Sequence, residues 1–168
     1  MKKFLLLVLM FICINAFLID DFYNKKYSNI CDFKNIVKYN KNEKMLSLIG
    51  VACVKSDKLF LLPSVINRLK HTKEGINNSI YFLTIYSQKK LLYAYFFYNF
   101  NIKDFSFPLT DYFISIIFDS IKNNNFIKKG NIFVVKWKNK KFEIYKIDDK
   151  LIVDEYEKNK FIKRHWFR

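Results

Sequence analysis

The chain has 168 residues, a formal net charge of +15 and an apolar fraction of 51%, a length that suits a single domain burying roughly two thirds of the surface its unfolded chain exposes. Its basic residues are 27 lysines against only Arg68, Arg164 and Arg168, which argues against a nucleic-acid reader, because base recognition favours the bidentate arginine fork. The excess of Lys, Asn, Ile, Phe and Tyr carries the mark of AT-rich codons. The charge is also spread, at +2 over residues 1–16, +7 over 17–98, +1 over 99–130 and +5 over 131–168, so charge alone defines no partner.

The first sixteen residues, MKKFLLLVLMFICINA, read as a secretory signal. Lys2 and Lys3 form a positive start, Phe4 to Ile14 an apolar run, and Ala16 a small residue at the cleavage point. Ile12 before Cys13 argues against a lipoprotein signal. The alternative is an uncleaved inner-membrane anchor reaching Ile19, but that run is shorter than the roughly 20 residues a spanning helix needs. The expected product is a soluble periplasmic chain, residues 17–168, folding as one α+β domain: helical hairpins over 17–123 and an antiparallel β-meander over 126–168.

Apolar spacing predicts five helices: Phe22 to Tyr39, Glu43 to Lys55, Lys58 to Lys70, Glu74 to Tyr98 and Asp111 to Asn123. Pro63 either kinks the third or makes it begin near Leu62. In the first two helices the expected apolar stripes are Ile30, Phe33 and Val37, and Leu46, Ile49 and Cys53. The fourth is apolar nearly all round and is expected to be central, with Ile80, Leu83, Leu91 and Tyr95 on one side. Thr110 is the expected N-cap of the fifth, with Asp111 in its first turn.

If the first two helices form a hairpin turning at Tyr39 to Asn42, Cys31 and Cys53 lie at nearly equal heights from the turn. In an oxidising compartment that favours a disulfide, with two buried reduced thiols as the alternative. A metal or redox role fits poorly, since no histidine is near and no CxxC motif is present. No cofactor is implied.

Beyond Phe126 the pattern changes to short alternating runs, predicting strands at Ile132 to Trp137, Phe142 to Ile147, Leu151 to Tyr156 and Phe161 to Phe167. One face is expected to lie on the helices. The last strand, FIKRHWFR, combines an edge position with Lys163, Arg164, Trp166 and Arg168, the candidate binding residues. Basic side chains can protect such an edge, or mark strand addition by a partner.

The catalytic inventory is thin, with only His71 and His165. The cluster Asp148, Asp149, Asp154, Glu155 and Glu157 reads as solvated turn residues, and Gly50, Gly75 and Gly130 form no phosphate-cradling loop. No catalytic or metal residue is assigned.

The stretches EKMLSLIGVACVKSD, HTKEGINNSIYF, QKKLL and PLTDYFIS together resemble small secreted proteins of epsilon-proteobacteria, over most of the mature chain. The resemblance implies bacterial export and carries over no activity and no site residue. Leu46, Gly50 and Ala52 give a faint likeness to helix-hairpin repeats of the TPR or Sel1 kind, but no fixed period returns. The expected function is that of a non-enzymatic interaction protein docking on another envelope component. The alternatives are a binding module for an anionic lipid head group or cell-wall polymer, built on Lys163, Arg164 and Arg168, and then a small hydrolase.

Overall fold

A computed structural model describes residues 17–168; the signal segment read at residues 1–16 lies outside them. The fold is α+β, with helices first and a five-stranded antiparallel sheet at the C-terminal end. Among the described residues no helix is long and apolar enough to cross a membrane. The chain divides into two compact units, one ending at Ile80 and the other running from Tyr81 to Arg168.

In the first unit the single helix expected over Phe22 to Tyr39 is three short ones: α1 (17–23), α2 (Tyr27–Ile30) and α3 (Phe33–Lys38). Lys25, at φ 57°, breaks the chain after α1. Asp32 breaks it again in extended conformation, its carboxylate accepting from the Lys34 amide at 2.7 Å as the cap of α3. Asn35 closes the other side of that break by donating its carboxamide to the carbonyls of Asn29 and Ile30. Each break resets the helical phase. Ile30 and Ile36 are therefore buried, while Phe33 and Val37, expected in the core stripe, stay about half exposed.

Helix α4 (Glu43–Lys55) follows the expected boundaries, with Asn42 capping it and Leu46, Ile49 and Cys53 buried as predicted. Asp57, at φ 61°, ends it. A 3₁₀ turn (Leu59–Leu61) then leads into α5 (Leu62–Ile66), where Pro63 stands at the start, the one place in a helix where its missing N–H costs nothing. Leu59, Leu62, Val65 and Leu69 complete this unit's apolar interior.

Helix α6 (Lys73–Tyr98) begins in the first unit and continues into the second. It is not buried all round. Phe82, Ile85, Leu92 and Phe96 form its buried stripe, whereas Ile80 and Leu83, expected on the packed side, are about half exposed.

In the second unit α7 (Phe113–Lys122) starts two residues later than expected, and Thr110 does not cap it. The Thr110 hydroxyl is instead 2.6 Å from that of Ser115, which donates to Gln88 Oε1 at 2.6 Å. Asp111 lies ahead of the helix and accepts from the Tyr81 hydroxyl at 2.6 Å. Burial and this carboxylate together push the Tyr81 phenol above its ordinary range.

The sheet is a meander in chain order: β1 (Ile127–Lys129), β2 (Ile132–Trp137), β3 (Lys140–Ile147), β4 (Lys150–Glu157) and β5 (Lys160–Phe167). The short β1 escaped the sequence reading because three residues show no alternation. Two residues span each hairpin turn, with positive φ at Gly130, Lys138, Asp148, Lys158 and Asn159, as the twist of the flanking strands favours. Register places Phe133 opposite Ile144 and Val135 opposite Phe142 on one face. This inner face receives Phe113 of α7, whose ring lies 5.8 Å from Phe142 and 4.2 Å from His165. Phe113 of α7 and Phe96 of α6 thus pack on one side of the sheet.

Candidate functional site

The outer face of the sheet carries rows of polar and aromatic side chains set by the register. One row runs Val134, Glu143, Asp154, Arg164, and the next runs Tyr145, Ile152, Trp166. Asp154 is 5% exposed, and its carboxylate is the hub of the first row. Arg164 grips it with a two-point fork, Nε to Oδ1 at 2.7 Å and Nη2 to Oδ2 at 2.9 Å. The Tyr145 hydroxyl donates to Oδ2 at 2.8 Å. The guanidinium bonds outweigh burial and hold Asp154 below the usual carboxylate range, and they raise Arg164 in turn.

A second carboxylate, Glu155, faces the other way. Burial raises it, but the Lys140 ammonium at 2.7 Å and His165 Nε2 at 3.3 Å overcome that and leave its pKa lowered. His165 is buried between this carboxylate and the Phe113 ring, a packed position away from solvent. On the outer face Lys141 pairs with Glu143 at 2.9 Å and sits 3.9 Å from the centre of the Tyr156 ring.

The four candidate binding residues are therefore not presented as one cluster of free charge. Arg164 and Trp166 share the outer face, but Arg164 is held by Asp154. Lys163 is registered opposite Glu155 and alternates to the inner side. Arg168 follows the strand and forks onto Asp149, with Nε 2.8 Å from Oδ2 and Nη2 3.0 Å from Oδ1. Trp166 stays 56% exposed, with the Lys150 ammonium 5.3 Å from its ring centre.

What β5 does present is an open sheet edge, since among the described residues strand order leaves it with a neighbour on one side only. Phe161 and Ile162 are each more than half exposed there. A register irregularity between Glu155 and Tyr156 shifts the pairing at this end of the strand. Exposed apolar and aromatic groups on a sheet edge give backbone hydrogen bonding and side-chain anchoring in one place.

Cys31 and Cys53 form a disulfide, with a Cα separation of 4.9 Å and both residues fully buried. Cys31 lies in the break between α2 and α3, not on the border of a continuous helix. Lys58 seals this join by donating to the carbonyls of Ser28 at 2.9 Å and Cys31 at 3.2 Å.

Two further features escaped the sequence reading. Glu43 accepts from the backbone amides of Lys70, His71 and Thr72 at 2.7, 2.7 and 2.8 Å, and from the Thr72 hydroxyl. That hydroxyl is the largest influence lowering Glu43 to about 2, with the amides adding to it against some burial. Lys89 is 4% exposed and donates to the main-chain oxygen of Arg168; burial, helped by Lys90, brings it down to about 8. Neither has a local sequence signature.

No family model, curated protein or solved structure matches the chain.

Proposed function

We propose that this chain is an exported, non-enzymatic interaction protein of the bacterial envelope, docking through β5 onto an acidic, extended segment of another envelope protein that adds as a sixth strand. The observation that carries the reading is the open β5 edge with Phe161, Ile162 and Trp166 each more than half exposed. The charge of +5 over residues 131–168 favours an acidic partner. The leader-like first sixteen residues and the disulfide are in keeping with export to the periplasm. The non-enzymatic part rests on the paired and buried states of the polar groups, since the best-connected carboxylates hold Arg164, Tyr145 and Lys140.

In-cell photo-crosslinking from Ile162 tests this, with Tyr23, 81% exposed on α1, as the control position. The expected product is one envelope protein whose crosslinked peptide is acidic and extended, lost when Phe161 is changed to Asp. Products identical from Ile162 and Tyr23, or a crosslinked peptide that is basic, would refute the docking reading.

A further inference from the structure

A cavity of 510 Å³ opens at the other side of the sheet from β5, where β1, β2 and β3 meet the end of α6. Register builds its floor. Lys128 is opposite Phe133, Phe133 is opposite Ile144, and Lys146 follows Ile144 by two residues, so both lysines stand on the same inner face as the phenylalanine. Helix α6 supplies the wall with Tyr95 and Phe96, the latter edge-on to Phe133 at 4.9 Å. Asn99 and Asn131 add carboxamides at the rim, and each follows a chain reversal: Asn99 itself has φ 54°, and Asn131 comes after Gly130 at φ 58°.

Several lysines of the sheet, Lys129, Lys136, Lys150 and Lys160 among them, have no carboxylate within 4.0 Å among the described residues, and at this cavity two such lysines share one concavity. Lys140, Lys141, Arg164 and Arg168 each hold a carboxylate, but among the described residues neither Lys128 nor Lys146 has one within 4.0 Å. The two ammonium groups lie over aromatic rings, Lys128 5.4 Å from the centre of Phe133 and Lys146 5.5 Å from that of Phe97. Among the described residues, no acidic one lines the cavity. Two like charges line one concave, aromatic-walled site with no counter-charge supplied by the described chain.

We propose that this cavity binds a phosphate ester, the phosphate held by Lys128 and Lys146 and its apolar or planar substituent laid against Tyr95, Phe96 and Phe133. A phosphate monoester carries nearly two negative charges and three strong acceptor oxygens, which matches two ammonium groups and two carboxamides better than a single carboxylate does. The volume is in the range of small-molecule sites. This site goes beyond the docking reading and shares none of its residues, so either can fail alone.

The test is calorimetric titration of the full-length chain with phenyl phosphate, inorganic phosphate and phenol, alongside sedimentation with vesicles that contain or lack phosphatidic acid. Phenyl phosphate is expected to bind most tightly, and Lys128→Ala and Lys146→Ala are each expected to weaken it about five- to ten-fold, with Lys146→Arg close to wild type. Both lysines are exposed, and a circular dichroism spectrum checks that the variants are folded. Lysine-dependent binding of phenyl phosphate without vesicle binding supports a free ester as the ligand. Lysine-dependent vesicle binding supports a lipid head group carrying the same chemistry. The proposal is overturned if neither probe binds, if inorganic phosphate binds as tightly as phenyl phosphate, or if folded Lys128→Ala and Lys146→Ala bind as the wild type does.

Discussion

Replacing both Cys31 and Cys53 by alanine opens a cross-link between residues 22 apart in sequence. On the chain-entropy account, a loop of that length constrains the unfolded chain by about 3 kcal/mol, which is the stability the first unit is expected to lose. Alanine is the right replacement because both sulfur atoms are fully buried, and serine would add a buried hydroxyl in need of a partner. Hydrogen exchange at the amides of α4 is the suitable assay, because both tryptophans, Trp137 and Trp166, lie in the second unit and report on it alone. Protection of the Leu46 to Val54 amides is expected to fall about a hundred-fold, since each 1.4 kcal/mol is about a factor of ten. A change below about three-fold would refute the reasoning, because it would place the stability of the α2–α4 join in packing and in the Lys58 bonds.

Glu43 predicts an acid-sensitive first unit. Its folded value of about 2 lies below the ordinary 4.5, so its contribution is fully present above pH 4.5 and is lost as the pH falls toward 2; Glu43→Gln is expected to abolish that slope in melting temperature against pH. Gly75→Ala acts on the same clamp, because a Cβ there would lie 2.8 Å from both Glu43 Cδ and Thr72 Oγ1, so its destabilisation is expected to shrink in the Glu43→Gln background when the two are combined in a double-mutant cycle. Asp154→Ala strands the Tyr145 hydroxyl and the exposed Arg164, and is expected to cost about 1–3 kcal/mol in urea unfolding followed by tryptophan fluorescence. Phe142→Ala removes a fully buried ring stacked 5.8 Å from Phe113, and the same assay is expected to show a loss of about 3–5 kcal/mol.

Several parts of this molecule were legible in local chemistry. The meander was readable because alternation and two-residue turns are short-range signals; β2 has the expected ends and the three strands after it agree to within two residues. The disulfide was readable because two cysteines eleven residues either side of Asn42 can meet across a turn there, and the structure joins them although the first helix is broken at Cys31. Of the two outcomes Pro63 allowed, a kink or a start near Leu62, the structure has the second.

Other features were decided by competing local hydrogen bonds or by what lies far away in the sequence. The expected first helix had sound helical periodicity, but Asp32 and Asn35 offered the backbone competing hydrogen bonds, and the fold took those and buried Ile36 in place of Phe33 and Val37. Glu43 gained its role from three amides 27 to 29 residues further along, which no window of helical length contains. The charges of β5 looked free in a linear reading, yet Asp154 and Asp149 hold two of them once the strands pair. Lys128 and Lys146, eighteen residues apart and unremarkable in the sequence, share one cavity because strand register sums positions across three strands. Periodicity, capping and turns act over a few residues and can be read from the chain, whereas which charges find partners and which cavities remain is settled by the meeting of surfaces that only the folded backbone brings together.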